Sequence, residues 1–550
     1  MTNKQITSEE INEIRINNRL SLRKNEYKKI IHNKRKLFSE IKSLLINNTT
    51  NASNISDIFF NNNIFKILTN KEILDIIKKY KEKKLLLLND LTEIFQCLFS
   101  LDYNSNQNKN NITFMEENKI YIFLIDMLGD IFNLSHETNV NNMNSLEQLI
   151  CKILQILFKF CSHNENNQEF IKYIKTDNKI EIINQILSSL NNNKSNNLNY
   201  KLILNNKKKI DILLYIVVIL YNLSIECNDF YNHLLKNKIN EKILSIISDK
   251  KSNIKIKDNN IIYFIYFFSL NLLDENAQKI EENYIINIFE FLNEKGIISS
   301  NTRAQELSLC CLCNITSLYE SNIFYKKIVY SGIFENIFQF IKTSNNINLI
   351  IISLKIVNNI LTEKDIDIHY FIKSNLFDGL KNLIINYEKK KQYLTPDLLH
   401  HIISIFLYLT KSSLFHSVIN ENLKLIVVMV DLIGKQSNQV THDILTFIKD
   451  IINESYKISQ SIIYNNKELI IKLIYLIKEE SHDNKITIMA SIIFAKILRY
   501  IHENTDENNN NLYFWFKEYE MQIKDIIETK LMNKNEINDN LKKTFEIILN

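Results

Sequence analysis

An apolar, helix-like run with an Asn near its C-terminal end recurs along this chain at a nearly constant interval. Four copies read LYIVVILYNLS, YFIYFFSLNLL, ELSLCCLCNIT and IISLKIVNNILT, and they carry Asn222, Asn271, Asn314 and Asn359. The intervals between these asparagines are 49, 43 and 45 residues. Helices that repeat every ~40–47 residues are typical of a solenoid, whose stacked units present a long surface for holding another chain. The repeat therefore predicts a binding protein.

A second, shorter helical run begins 13–18 residues after the end of most of the long runs. A Gly or an Asn opens each of these runs, because both residues tolerate the left-handed conformation that ends one helix before the next begins. The openings are Asn178, Asn237, Gly332, Asn375, Asn422 and Asn466. Each repeat is thus predicted to contain a short helix, a turn, a second helix, a loop and a longer third helix, and a period of this length is typical of armadillo or HEAT solenoids.

Composition agrees with an all-helical fold. The chain has only 5 Gly and 1 Pro in 550 residues, and hairpins and nucleotide-binding units need more of both. The N-terminus shows no signal-peptide pattern, and no apolar run reaches the ~18–20 residues of a membrane helix. The seven cysteines lie mostly in apolar runs, so we expect reduced thiols and a location in the cytosol and nucleus.

Charge divides the chain into segments. Residues 1–46 contain 11 Lys and Arg against 5 Asp and Glu, whereas the rest is nearly neutral. This pattern predicts a basic arm over residues 1–46 with a partner of its own. About nine repeats follow over residues 58–500, interrupted by Asn-rich inserts, and residues 512–550 are expected to form a C-terminal helical cap.

Residues 354–365, LKIVNNILTEKD, resemble the sixth-repeat motif of importin-α, L-R-x-V-G-N-I-V-T-G-x-D. Importin-α is a nuclear-import adaptor with ten armadillo repeats, and Asn359 also falls in the sixth repeat of this chain. The resemblance implies an all-α, armadillo-repeat, right-handed superhelical solenoid.

The basic arm is similar to the importin-β-binding segment of the same family. That segment has spaced arginines, then L-R-K, then a K-R-R cluster, and the matching residues here are Arg15, Arg19, Arg23, Lys24, Lys34, Arg35 and Lys36. The resemblance implies an importin-β-like karyopherin as the partner, because many spaced cations attract an acidic solenoid. The alternative is a solvated basic arm that binds nothing specific, or that binds nucleic acid.

In this family each third helix offers a Trp and, four residues later, an Asn that clamps the backbone of a basic cargo peptide. The chain keeps the Asn but not the Trp, since its single Trp, Trp515, lies elsewhere. The resemblance places Lys355 at an inward arginine and Glu226 at an acidic residue that pairs with a cargo lysine. The cargo-binding residues it implies are Asn222, Glu226, Phe267, Asn271, Asn314, Lys355 and Asn359.

Two features weaken this interpretation. Lys449 stands where a Trp should face basic cargo, and a like charge repels such cargo. The retained asparagines have an equally simple alternative role, which is to form hydrogen bonds within the solenoid. A groove that has the Asn residues but lacks the Trp residues should bind the backbone of an extended peptide while recognising few of the peptide's side chains.

Catalytic motifs are absent from the sequence, including phosphate-binding loops and metalloprotease or hydrolase signatures. Cys310, Cys311 and Cys313 point to different faces of one helix, so we expect no metal site and no cofactor. The pair His400–His401 has no matching carboxylate pattern and is interpreted as packing or surface.

Two functions remain open. The first is an import adaptor that binds cargo in its groove and importin-β through residues 1–46. The second is an armadillo scaffold that binds another protein without recognising import signals. Neither an enzymatic activity, membrane insertion nor nucleic-acid binding is expected.

Overall fold

The computed structural model describes the chain in segments. They comprise residues 70–83, 113–134, 143–163, 167–176, 179–190, 206–248, 258–270, 282–318, 331–362, 366–386, 395–454, 467–479, 484–504 and 510–532, with the single residues 256, 329, 545 and 548. These residues form two compact units, Met1–Cys311 and Leu312–Asn550, and contain helices and turns but no strand.

The described residues of the first unit include the following longer helices, with the start of α11, in addition to a short helical stretch at residues 113–117. They are α1 Asn70–Lys83, α2 Ile120–Leu134, α3 Met143–His163, α4 Gln168–Thr176, α5 Ile180–Leu190, α6 Asn206–Glu226, α7 Asn228–Lys236, α8 Ile239–Ser248, α9 Asp258–Leu270, α10 Glu282–Phe291 and α11 Thr302–Leu318. A π-helical turn, Leu292–Ile297, extends α10, and the boundary between the units falls within α11.

The second unit continues the same order of short and long helices. Its described helices are α12 Ile333–Thr343, α13 Ile347–Leu361, α14 Ile368–Lys373, α15 Leu376–Ile385, α16 Pro396–Leu409, α17 Ser413–Glu421, α18 Leu423–Leu432, α19 Asn438–Glu454, α20 Lys467–Lys478, α21 Asn484–Asn504 and α22 Asn510–Met532.

Equivalent helices of successive repeats pack against one another within each unit. In the second unit the second helices α12, α15, α18 and α20 form one layer, and the third helices α13, α16, α19 and α21 form another. In the first unit α5, α8 and α10 form the first of these layers, and α3, α6 and α9 form the second. This two-layer order confirms the predicted all-α fold of armadillo-type repeats.

The turns between first and second helices differ from the prediction in their detail. Gly332 takes the predicted left-handed conformation, with φ of 78°, but at Asn237 the next residue, Lys238, takes it instead. Asn237 and Asn422 end the preceding helix through their side chains, whose Nδ2 atoms donate to carbonyls four residues earlier at 2.8 and 2.7 Å. An amide side chain thus closes the helix without a positive φ.

Other boundaries follow directly from local chemistry. The Oγ1 of Thr395 accepts a hydrogen bond from the backbone N–H of Leu398 at 3.3 Å, and Pro396 occupies the first helical position, as predicted.

Gly296 lies against α11, where an added Cβ would be 1.9 Å from the Oγ of Ser308. Only glycine allows this close approach of the two helices.

The core is built from apolar residues on the faces shared by the layers. Its largest fully buried side chains are aromatic and occur in both units. In the second unit a lysine also joins two repeats, because the Nζ of Lys472 on α20 donates to the carbonyls of Val430 and Asp431 at 2.9 Å each. The carbonyl of Val430 also accepts a hydrogen bond from the backbone N–H of Ile433 at 3.1 Å, so the lysine adds a second donor at the C-terminal end of α18.

In the part of the chain that the structure describes, no single helix is both long and apolar enough to cross a bilayer. The adjoining helices α17 and α18, bent by 85°, reach such a length and composition only as a pair.

Candidate functional site

The third helices of the second unit form the candidate site. It consists of α13, α16, α19 and α21 together with residues 312–318 of α11, and we call it the second-unit third-helix face. Polar side chains reach from each of these helices to the next, although the helices around them pack through apolar contacts. The side chains below are taken in the order in which the chain brings them to this face.

Asn359 lies half-buried on α13, and its amide turns toward the preceding repeat. Its Nδ2 donates to the carbonyl of Cys313 at 3.3 Å and to the Oγ1 of Thr316 at 3.2 Å. The side chain of Asn359, which the resemblance assigned to cargo binding, thus forms hydrogen bonds within the fold. That is the alternative role that the sequence analysis also allowed. Asn314, the equivalent residue on α11, is half-buried.

Asn358 and Lys355 join α13 to α16. The Nδ2 of Asn358 donates to the carbonyl of His401 at 3.1 Å and lies 3.3 Å from its Nδ1, so Nδ1 is the acceptor and the proton of the neutral ring is on Nε2. That Nε2 lies 3.5 Å from the carboxylate of Asp397, which also lies 3.8 Å from the Nζ of Lys355. The lysine predicted to line the cargo path therefore has a carboxylate beside it.

These contacts shift the pKa values of Asp397 and His401. The hydrogen bond from His401, helped by the charge of Lys355, lowers the pKa of Asp397 to about 2, although burial opposes the shift. Burial lowers the pKa of His401, and the positive charge of Lys355 acts in the same direction. Near neutral pH the face thus carries an ionised Asp397 and a neutral His401.

His400 points away from its neighbour and toward α19. Its Nδ1 lies 2.5 Å from the Oδ2 of Asp443, whose side chain is only 10% exposed. This hydrogen bond raises the pKa of His400. Burial alone would raise the pKa of Asp443, but hydrogen bonds from His400 and His442 lower it. The prediction that His400 has no carboxylate partner is therefore wrong, because the partner lies on the next repeat.

Lysines dominate the C-terminal ends of α16, α19 and α21. The Nζ of Lys411, just beyond α16, lies 4.8 Å from the ring centroid of Tyr408. Lys449 on α19 lies 3.4 Å from Asp450, its neighbour in the chain. Lys496 on α21 donates a hydrogen bond to the side chain of Asn453 on α19.

The third helices of the first unit are different in character. Asn222 is half-buried on α6, and Glu226 is the last residue of that helix. Phe267 on α9 is 0% exposed, and its ring packs at 5.6 Å from that of Phe268. This burial disagrees with the cargo-binding role that the resemblance implied for Phe267, since a fully buried ring offers no face to a bound peptide. Asn271 lies outside the described residues.

The predicted importin-β-binding residues, Arg15, Arg19, Arg23, Lys24, Lys34, Arg35 and Lys36, also lie outside the described residues. Their role and the boundaries of the arm stay predictions. The described part of the predicted C-terminal cap is α22, which packs on α20.

One signal in the sequence would have revealed these polar contacts. The residue pairs Thr316–Asn359, Asn358–His401, His400–Asp443 and Asn453–Lys496 are each separated by 43 residues. This separation is the length of one repeat, and it places both residues at the same position of adjacent third helices. Pairs of complementary polar residues at that offset could therefore have been found without the structure.

Within the described residues no group of three or more His, Cys, Asp or Glu side chains is arranged to hold a metal ion. Cys311 and Cys313 are buried and Cys310 is half-buried.

Comparisons with known proteins were made at the level of sequence and of structure. No family model and no curated protein matches the chain. Among solved structures, an engineered protein has 12% identity and a TM-score of 0.48, with 88% of this chain and 98% of that chain covered. A structure concerning a phosphorylation switch in the interaction between cadherin and β-catenin has 11% identity and a TM-score of 0.49, with coverages of 87% and 95%.

A designed armadillo repeat protein in complex with the peptide (KR)4 has 13% identity and a TM-score of 0.35. The match covers 47% of this chain and 96% of the designed protein. The armadillo-type repeat described above follows from the order and packing of the helices within each unit.

Proposed function

We propose that this chain is an armadillo-repeat scaffold that binds an extended segment of another protein along the second-unit third-helix face. The observation that carries the proposal is the row of polar side chains on successive third helices, repeated at an offset of 43 residues. A regular row of donors and acceptors suits the regular backbone of an extended chain.

The spacing of the row supports this match. Packed helices lie ~8–10 Å apart, and an extended chain advances ~3.3 Å per residue. Each repeat would therefore meet about three residues of the bound segment. Half-buried groups such as Asn314 and Lys355 are partly fixed by their surroundings and still reach solvent, so a ligand can contact them at a small cost in side-chain entropy.

Nuclear import is a narrower form of this proposal. It is favoured by the resemblance of residues 1–46 to an importin-β-binding segment and opposed by the groove, where Phe267 is buried and Lys449 would repel basic cargo. A direct test is titration of the full-length chain with purified importin-β. Binding that is lost on combining Arg15→Glu, Arg19→Glu and Arg23→Glu would support the adaptor, and equal binding by the variant, or no binding, would reject it.

The scaffold itself is tested by selection of ligands from a displayed library of random unstructured peptides, with the full-length chain as bait. A photocrosslinking amino acid is then placed singly at position 314 or 453 on the third helices. Matched controls at position 343 or 424 lie on the second helices α12 and α18 and are also exposed to solvent.

The expected result is crosslinking of selected peptides from positions 314 and 453 and not from the two controls. Recovery of no peptide after repeated selection, or crosslinking confined to the second helices, would overturn the proposal.

A further inference from the structure

The C-terminal ends of α16, α19 and α21 bring three lysines to adjacent repeats of one face. Lys449 and Lys496 lie on helices that pack directly together, and Lys411 follows the third helix of the repeat before them. Each has an internal neighbour, namely Tyr408, Asp450 or Asn453, but only Asp450 is charged. We call Lys411, Lys449 and Lys496 the lysine cluster.

The local balance of charge is positive. Residues 402–411, 446–454 and 490–504, which extend to the ends of these third helices, contain four Lys or Arg residues against three acidic residues, Asp450, Glu454 and Glu503. The fourth basic residue is Arg499, which is exposed on α21. An excess of this kind on one face creates an attractive potential for anions, although the chain as a whole has a net charge of only +5.

The pKa values of two cluster lysines are lowered. Burial lowers the pKa of Lys411 and of Lys496, and the nearby charge of Lys449 lowers the pKa of Lys496 further, while the charge of Asp450 opposes both shifts. Asp450 thus compensates the lysines only in part, and further carboxylates beside Lys411 and Lys496 would favour their charged forms.

We propose that the lysine cluster is a docking surface for an acidic, extended protein segment with carboxylates spaced about three residues apart. The spacing follows from one lysine per repeat and from the advance of an extended chain across ~8–10 Å between helices. The inference rests on the proposed scaffold function and assigns a class of partner to it, opposite in charge to the basic cargo that the sequence suggested.

Two other occupants fit the cluster less well. The basic arm of this chain, residues 1–46, carries an excess of positive charge and would be repelled. Single-stranded nucleic acid needs exposed aromatic rings for base stacking. The ring of Tyr408, which belongs to this face, is covered by Lys411.

The experiment measures fluorescence anisotropy of three labelled peptides of about 20 residues with the full-length chain. The peptides are built from Glu and Ser, Lys and Ser, or Gln and Ser, and oligothymidylate of similar length is added as a competitor. The test variant combines Lys449→Glu and Lys496→Glu. The control combines Lys424→Glu and Lys478→Glu, which change the net charge equally on the second helices α18 and α20, where both lysines are exposed.

The wild-type chain should bind the Glu peptide at least ~10-fold more tightly than the Gln peptide at low salt, a difference of about 1.4 kcal/mol. This preference should weaken between about 50 and 300 mM salt, because the Debye length shortens. The test variant should lose the preference or reverse it toward the Lys peptide, and the control should keep it. Unchanged folding of both variants is checked by circular dichroism.

Several results would overturn the inference. Equal affinity for all three peptides, or equal loss in both variants, would show that the cluster does not select charge. Displacement of the Glu peptide by oligothymidylate at lower concentration than by unlabelled peptide would point to nucleic acid. Library peptides that crosslink to the third helices but lack acidic residues would leave the scaffold in place and reject the acidic partner, so the two failures are distinguishable.

Discussion

The third helices of the two units pack in the same way but are joined by different chemistry. In the first unit aromatic rings link successive third helices, with Phe158 and Tyr215 at 5.9 Å between α3 and α6, and Tyr221 and Tyr266 at 6.0 Å between α6 and α9. The first unit has a polar link as well, since Arg303 on α11 donates to the hydroxyl of Tyr266 at 3.3 Å. The second unit has an aromatic link of the same kind, Phe406 and Phe447 at 5.7 Å between α16 and α19, but it adds a row of hydrogen bonds and ion pairs among Asn, His, Asp and Lys.

The difference shows that the helical repeat alone does not determine which side chains join one third helix to the next. Aromatic links contribute apolar burial, which is insensitive to pH and salt, and burial raises the pKa of Tyr221 so that it stays neutral. Polar links depend on protonation and are half-open to solvent. The aromatic links thus add stability that does not depend on pH, whereas the polar links of the second unit add contacts whose strength changes with protonation.

The strongest test of this comparison is Phe267→Ala in the first unit. Removal of a fully buried ring loses its transfer free energy and leaves a cavity, so we expect the free energy of unfolding to fall by about 3–5 kcal/mol. Urea denaturation followed by circular dichroism measures the loss. Hydrogen exchange then shows whether it is centred on α9, because repeat proteins can unfold in parts.

Tyr475→Ala is the control, since this ring is 53% exposed on α20 and should change stability by less than about 0.5 kcal/mol. A loss below about 1 kcal/mol for Phe267→Ala would break the comparison. It would mean that the ring lies at the surface, where the sequence placed it.

A smaller effect is expected from Asn359→Ala in the second unit. The variant loses hydrogen bonds to the carbonyl of Cys313 and the hydroxyl of Thr316, each of which contributes about 0.5–1.5 kcal/mol. We expect a net loss of about 1–2 kcal/mol in the free energy of unfolding, measured by the same denaturation. Asn348→Ala, at an exposed position of the same helix α13, is the matched control.

Peptide affinity of the same variants distinguishes the two roles of Asn359. If its main role is to link repeats, the variant should bind a library-selected peptide nearly as tightly as the wild-type chain. Unchanged stability together with lost peptide binding would instead assign the amide to the ligand, as the resemblance to importin-α implies.

The fold was predictable because its signals are local and repeated. The interval between long runs, the scarcity of Gly and Pro and the Asn or Gly at helix junctions all act within one repeat. The start of α16 at Pro396 was predicted for the same reason, since capping chemistry involves only adjacent residues.

The site was harder to predict because its contacts join different helices. Helix α9 reads DNNIIYFIYFFSL and is apolar on every side, so the sequence pattern cannot tell which ring faces inward. The register borrowed from the importin-α resemblance placed Phe267 at the surface, whereas packing buries it. His400 was interpreted from its own helix, but its partner, Asp443, lies one repeat away.

The third test uses the adjacent pair His400–His401, whose pKa values shift in opposite directions. The pKa of His400 is raised in the folded chain, so its contribution to stability is present below about pH 6.5 and is lost as the pH rises through the raised value. The pKa of His401 is lowered, so its contribution is present above about pH 6.5 and is lost as the pH falls through the lowered value.

Replacing each histidine with Gln should therefore change the pH dependence of stability in opposite ways. His400→Gln should make the chain lose more stability than wild type between about pH 7.5 and 5.5, because the group that gains stability on protonation is gone. His401→Gln should make it lose less. Urea midpoints at the two pH values measure both effects, which are the smallest expected here because His400 is 37% exposed and solvent screens its charge.

The aromatic link of the first unit provides the control for this test. Tyr221→Phe should leave the change in midpoint between the two pH values as it is in the wild type, since Tyr221 stays neutral throughout that range. Slopes of the same sign in His400→Gln and His401→Gln would show that the two rings share one environment. Opposite slopes place pH sensitivity in the second unit and trace it to two causes, the hydrogen bond with Asp443 on α19, which raises the pKa of His400, and the burial of His401, which lowers its pKa.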